Sequence, residues 1–407
     1  AAAALFVGVF GNLDGAVQVV GGLAAIGGGG APPTAPVTLA ASALVGLARV
    51  LTGQATLPPF DFWRSTRVIG PEDPGPITEF PFFTFLYGDL HAHMMALPLA
   101  TLALALGLNV VWSPAGGWRR FLAGGGGATA LVAGLTLGAL RVTNSWDFPT
   151  YTALFGLALL LAERRHAGRL DASVVMRAAV GLVATAALSH VLFLPFHQRY
   201  ELFYVGVETV KAKTSLAHYA VIHGFFLAVV GTFLVLEARR AKGLLAGLVG
   251  LAHGAGAPLR VALAPGRSLT GAESWWWTGW EGATLSAFVV GAFFLIAGLA
   301  VPSVVCLGLG LVALAVPANQ RRPERLLVLG WIAVALAVTG IVEFFALKGD
   351  IGRMNTVFKF YLQSWMLLAI ASAVAGADIV AVLRGARGWR RRKASGAREM
   401  GALALST

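Results

Sequence analysis

The chain has 407 residues, of which 57% are hydrophobic and only 12% charged, and its mean hydropathy is +0.75. A soluble domain carries about 25% charged residues, so this composition excludes a string of water-soluble domains and predicts a polytopic helical membrane protein. The net charge is +12, and many of the basic residues fall in short clusters between apolar runs, at 118–120, 163–169, 239–242, 321–325 and 384–393; that is a positive-inside distribution and not a nucleic-acid surface.

In chain order, "AAAALFVGVFGNLDG" offers no Met, no basic n-region and no cleavage pattern, so it reads as the tail of a span with further segments upstream. A polar corner at Gly11–Asp14 and the flexible "GGGGAPPTAP" (27–36) follow. Residues 37–51 are apolar but short for a crossing. The longest polar segment is 53–93, too aromatic for disorder. Spans are predicted at 94–113, 121–142, 148–162, 174–196, 219–236, 284–301, 303–317, 326–346 and 357–383. The glycine-rich stretch 244–264 is taken as non-spanning, which keeps every basic cluster on the cytoplasmic side. The expected fold is therefore all-α, a multi-pass bundle of about 9–11 spans over 1–383 in the cell membrane. Residues 384–407 form a basic cytoplasmic tail. Cys306 is the single cysteine, so neither an intrachain disulfide nor a cysteine-rich zinc site can form.

On this topology the loops 53–93, 143–149, 195–219 and 347–359 share the outer face and hold most of the polar residues outside the basic clusters. In "GDLHAHMM", Asp89, His91 and His93 alternate. In extended chain all three point one way and form a ligand set for a divalent metal, Mg or Mn. In helix only Asp89 and His93 share a face, and Asp89 could simply cap the span; spacing alone leaves these readings open. Glu79 could supply a second carboxylate for acid/base work. In "TNSWDFP", Asn144, Trp146 and Asp147 fit either a helix cap with Pro149 in the first turn or a binding role. In "GDIGRMNTVFK", Asp350, Arg353, Asn355 and Lys359 open the last span; Arg353 and Lys359 could hold a phosphate or pyrophosphate. Alternatively Lys359 snorkels and Arg353 pairs with Asp350 or Glu343. The segment 195–219 suits an amphipathic helix lying on the membrane, and His190, His218 and His223 suit packing. No Walker loop, dinucleotide fingerprint, GxSxG or HExxH occurs.

The blocks "FDFWRSTRVI", "ITEFPFFTFLYGDLHAHMMALPL", "TNSWDFPTY" and "GRMNTVFKFYLQSW" resemble the signature blocks of an uncharacterised polytopic family of archaea and Chloroflexi, the YYY membrane proteins, from about Gly11 to Ala371. That family's fold is similar to class C glycosyltransferases. The resemblance implies a transferase that takes a sugar from a polyprenyl-phosphate donor on the outer membrane face. Asp89 and Glu79 would then be catalytic, with Asn144, Trp146, Asp147, Arg353, Asn355 and Lys359 binding substrate. Family members begin well upstream with an acidic, tyrosine-rich external loop, and that portion is absent here. The second expectation is accordingly a non-catalytic accessory subunit whose membrane partner supplies the missing N-terminal segments. A transporter ranks last, because no inverted repeat is visible.

Overall fold

The computed structural model describes residues 1–70, 75–113, 126–201, 205–240 and 271–404. Each of the nine predicted spans coincides with a helix. These are α6 (Ala92–Trp112), α7 (Gly126–Thr143), α8 (Asp147–Ala167), α9 (Ala172–Leu192), α11 (Leu216–Arg240), α12 (Gly271–Ile296), α13 (Ala300–Ala315), α14 (Pro323–Ile341) and α15 (Arg353–Ala404). Among the described residues, seven helices are long and apolar enough to cross a membrane; α7 and α8 fall outside that set. Helix α15 passes position 384 without a break in its backbone.

Two ends of the bundle differ in character. The loop end gathers the starts of α6, α8, α11 and α15; the basic end carries the described clusters at 163–169 and 321–325. Helices α11 and α12 both meet the basic end. Near the end of α11, Glu237 accepts from Asn319, just past α13, at 2.7 Å, while Phe294 near the end of α12 lies 5.6 Å from Phe344 at the loop end. The stretch 244–264 itself lies outside the described residues.

Two helix ends shift for stereochemical reasons, and one expected helix is replaced. Helix α9 stops at Leu192, not 196, because Pro195 opens the short α10 (Leu194–His197). Helix α14 stops at Ile341, not 346, because 345–348 become extended. The expected amphipathic helix over 195–219 is corrected outright: its described part holds α10 and then strand β1 (Gly206–Thr209). That strand pairs antiparallel with β2 (Phe345–Lys348), with Val207 opposite Leu347. Val205, Val207 and Thr209 are β-branched, which favours extended backbone over helix.

Helix α15 is the axis of the core. Tyr361, Trp365, Leu367, Leu368 and Ala369 are buried along it, facing α11 and α14. Phe80, in the loop before α5 (Pro81–Tyr87), stacks on Trp365 at 4.8 Å, and Phe226 of α11 meets the same indole edge-on. These are the offset and T-shaped geometries that aromatic quadrupoles favour.

Before α5 lie α1 (Ala2–Gly8), the hairpin α2 (Asp14–Gly28) and α3 (Pro36–Leu51), and the one-turn α4 (Phe62–Ser65). At 15 and 16 residues, α2 and α3 reach only about 22–24 Å, short of the roughly 30 Å hydrocarbon core. They touch backbone to backbone: a Cβ on Gly27 would stand 1.9 Å from the Ser42 carbonyl oxygen, and one on Gly46 would stand 1.8 Å from that of Leu23. Such close approach through small residues is how apolar helices pair in membranes. Gly46→Val should therefore force the hairpin apart and lower stability by about 1–3 kcal/mol, read as a drop in thermal midpoint of the detergent-solubilised protein. Gly21→Val, at a glycine with open space around it, should leave the midpoint nearly unchanged.

Candidate functional site

The site begins at the corner between α5 and α6. Gly88 ends α5 in the left-handed conformation (φ 62°), which glycine adopts without a Cβ clash. The Asp89 N–H then closes the helix end onto the Thr84 carbonyl at 3.0 Å. Two residues later His91, in extended conformation, is the N-cap of α6. Asp89 is therefore not the cap. Instead its carboxylate sits 2.6 Å from His91 Nδ1, and both side chains are open to solvent, 38% and 65%. His93 turns the other way. Buried in the first turn of α6, it places Nε2 2.9 Å from Thr84 Oγ1 and its ring against Phe358 of α15. The two imidazoles stack 5.5 Å apart. Asp89 and His91 thus form a pair, and His93 is engaged elsewhere; among the described residues no group of three or more His, Cys, Asp or Glu could hold a metal ion.

Two further blocks meet on α15. Its entry turn carries left-handed φ at Gly349, Ile351 and Gly352 (92°, 53° and 56°), and Ile351 is β-branched, for which this region is strained. The turn points the buried Asp350 back at α15, where it accepts from Asn355 Nδ2 at 3.2 Å and from the Lys359 ammonium. One turn on, Gln363 donates to the Trp146 carbonyl at 2.9 Å and accepts from Thr150 Oγ1 at 2.6 Å. The Asp147 N–H donates to the Asn144 carbonyl at 2.9 Å, and the buried Asp147 carboxyl lies within electrostatic reach of the Asn144, Gln363 and Lys359 side chains. Trp146 lies against Phe360. Asn144, Trp146, Asp147, Asp350, Asn355 and Lys359 are therefore one neighbourhood, and Gln363 is the member that sequence reading missed.

Arg353 stands apart from Lys359. It reaches Thr214 Oγ1 at 2.8 Å and lies 3.7 Å from Glu343. Glu343 is fully buried and also accepts the Thr214 N–H and hydroxyl at 2.8 and 2.6 Å. The two cations proposed to share a phosphate each have a separate carboxylate. Glu79 pairs with Arg67 at 2.7 Å, and that guanidinium lies over Trp63. A second overlooked residue, Asp14, is buried and receives Arg64, Ser65 and Gln18 at 2.8–2.9 Å. Its sequence signal was a lone acid in an apolar stretch, costly unless paired.

Three further histidines make ring contacts. His223 is fully buried among Phe80, Tyr219 and Tyr361. His190 stacks on His197 at 4.4 Å; burial first, then Arg141 and His190, hold the His197 imidazole below its ordinary pKa.

Two stability outcomes follow. Asp350→Asn leaves Lys359 without its near carboxylate in a half-buried place, a change that costs up to about 3–5 kcal/mol in fully buried pairs. Adding Lys359→Met should recover part of the loss in a double-mutant cycle of thermal midpoints. Ile351→Asn should raise the midpoint by the equivalent of about 1 kcal/mol, because Asn tolerates the left-handed region.

The family model described as "Uncharacterized membrane protein (DUF2298)" matches residues 1–368. No curated protein and no solved structure matches the chain.

Proposed function

The chain belongs to that family of membrane proteins, and we propose that it is an integral-membrane glycosyltransferase using a polyprenyl-phosphate sugar. The observation that carries this reading is the solvent-open Asp89–His91 pair, 2.6 Å apart, at the same end of the bundle as the buried polar neighbourhood on α15. A carboxylate held by an imidazole can act as general base when an acceptor hydroxyl lies within hydrogen-bond reach. In the proposed step the hydroxyl oxygen bonds to the anomeric carbon as its proton passes to Asp89. The bond from that carbon to the phosphate oxygen breaks, and polyprenyl phosphate leaves with the electron pair.

Lys359 and Asn355, oriented by Asp350, would stabilise charge growing on the leaving phosphate. Trp146, with Asn144 and Asp147 beneath it, would hold the sugar. Arg353, tied to Glu343, acts by fixing the start of α15, and Glu79, tied to Arg67, by shaping the loop. A Mg or Mn ion fits this donor set only in part: Asp89 offers the hard oxygen such ions prefer, and donor phosphate and water would complete the shell. When bound, it would neutralise phosphate charge. The loop end would face outward, the basic end and C-terminus the cytoplasm.

In a second reading, an accessory subunit of a larger membrane assembly, the apolar faces of α3 and α12, where Val37 is 81% and Ile296 88% exposed, would meet a partner in place of lipid. Purification separates the two, since a stoichiometric membrane partner on those faces supports it. For the enzyme reading, Asp89→Asn should cut sugar transfer in membranes supplied with polyprenyl-phosphate sugar by at least about 100-fold. The thermal midpoint should stay within a degree or two. Undiminished transfer would remove Asp89 from the mechanism.

A further inference from the structure

The opposite end of the bundle holds a cavity of about 500 Å³, lined by Glu237, the turn 317–320, Arg321 and Arg322. We infer that it is a headgroup site for an anionic membrane lipid. The inference is independent of glycosyl transfer, since it concerns other residues at the other end.

The turn is built rigidly. Pro317 opens a 3-10 turn over Pro317–Asn319, and Pro323 starts α14, so both edges have a fixed φ. Buried Asn319 anchors the middle, donating to Glu237 Oε2 at 2.7 Å and to the Ala315 carbonyl at 3.0 Å. From the side, Arg164 donates to the Gln320 carbonyl at 3.2 Å. The acidic wall is neutralised from behind: Arg325 lies 3.5 Å from Glu237 and grips Asp378 through both terminal nitrogens. Arg321 and Arg322 differ from these. Both are exposed, and neither side chain has a hydrogen-bond or ion-pair partner among the described residues.

Two adjacent guanidinium groups suit the oxygens of one phosphate. The volume lies within the range of small-ligand sites. The position selects a lipid as the source of that phosphate. The cavity lies where α11 and α13 end and α14 begins, at the ends of apolar stretches. Basic pockets between spanning helices at such a level bind anionic headgroups. A phosphate seated there would have its chains beside α11 in the bilayer.

The test uses the full chain in detergent, with native mass spectrometry of retained dioleoylphosphatidylglycerol against dioleoylphosphatidylcholine. Wild type should retain the anionic lipid at least fivefold better, and the double variant R321Q/R322Q should lose that preference with an unchanged thermal midpoint. A control, R391Q/R392Q, removes equal charge from the C-terminal basic cluster and should keep the preference. Three outcomes overturn the inference: equal retention of both lipids by wild type, unchanged preference in R321Q/R322Q, or equal loss in the control. Displacement of the lipid by millimolar inorganic phosphate would also overturn it, as a site for free anions.

Discussion

The structure depends on one constraint: the charged and amide side chains that enter the bundle at the start of α15 find partners inside it. A buried polar group without a partner costs several times what a satisfied one contributes. Gln363 meets this by tying Trp146 and Thr150 to α15. Lys359 meets it through Asp350, which requires the left-handed entry turn. Arg353 meets it through Glu343 and Thr214, which brings β1 beside β2. The loops at this end are thus placed by the polar groups of one helix, and the aromatic core beneath gives that helix a fixed position.

Against this fixed wall stands a softer element. The corner 88–91 is positioned by backbone bonds and by His93, whose ring packs on Phe358 next to Lys359. Its outward members, Asp89 and His91, touch each other and solvent. A rigid, buried polar wall beside an open carboxylate–imidazole pair is the division expected where binding and proton transfer are assigned to different groups.

Much of the fold was legible in sequence because hydropathy reports membrane length directly, and each of the nine predicted spans has its helix. Its ends were less legible. Four-residue strands at 206–209 and 345–348 leave no periodic signal, since each is defined by a partner more than a hundred residues away. Asp89 looked like a cap because capping acids precede apolar runs, yet Gly88 had already ended a helix there and His91 took the position. For Arg353 both carboxylate partners were foreseen, and only geometry chose Glu343. Gln363 went unnoticed as a single polar residue in an apolar pattern, and Asp14 passed as part of a polar corner, because the significance of each lies in what it meets across the bundle.

The convergence of these blocks on α15 is the central claim, and proximity between His93 and Phe358 tests it most directly. In a Cys306→Ser background, cysteines at 93 and 358 should be joined by a short bifunctional maleimide in native membranes, because the two rings lie 4.8 Å apart. A cysteine pair at 93 and 296, on the separate α12, should not be joined. Absence of the 93–358 crosslink, with both cysteines reactive singly, would contradict the account.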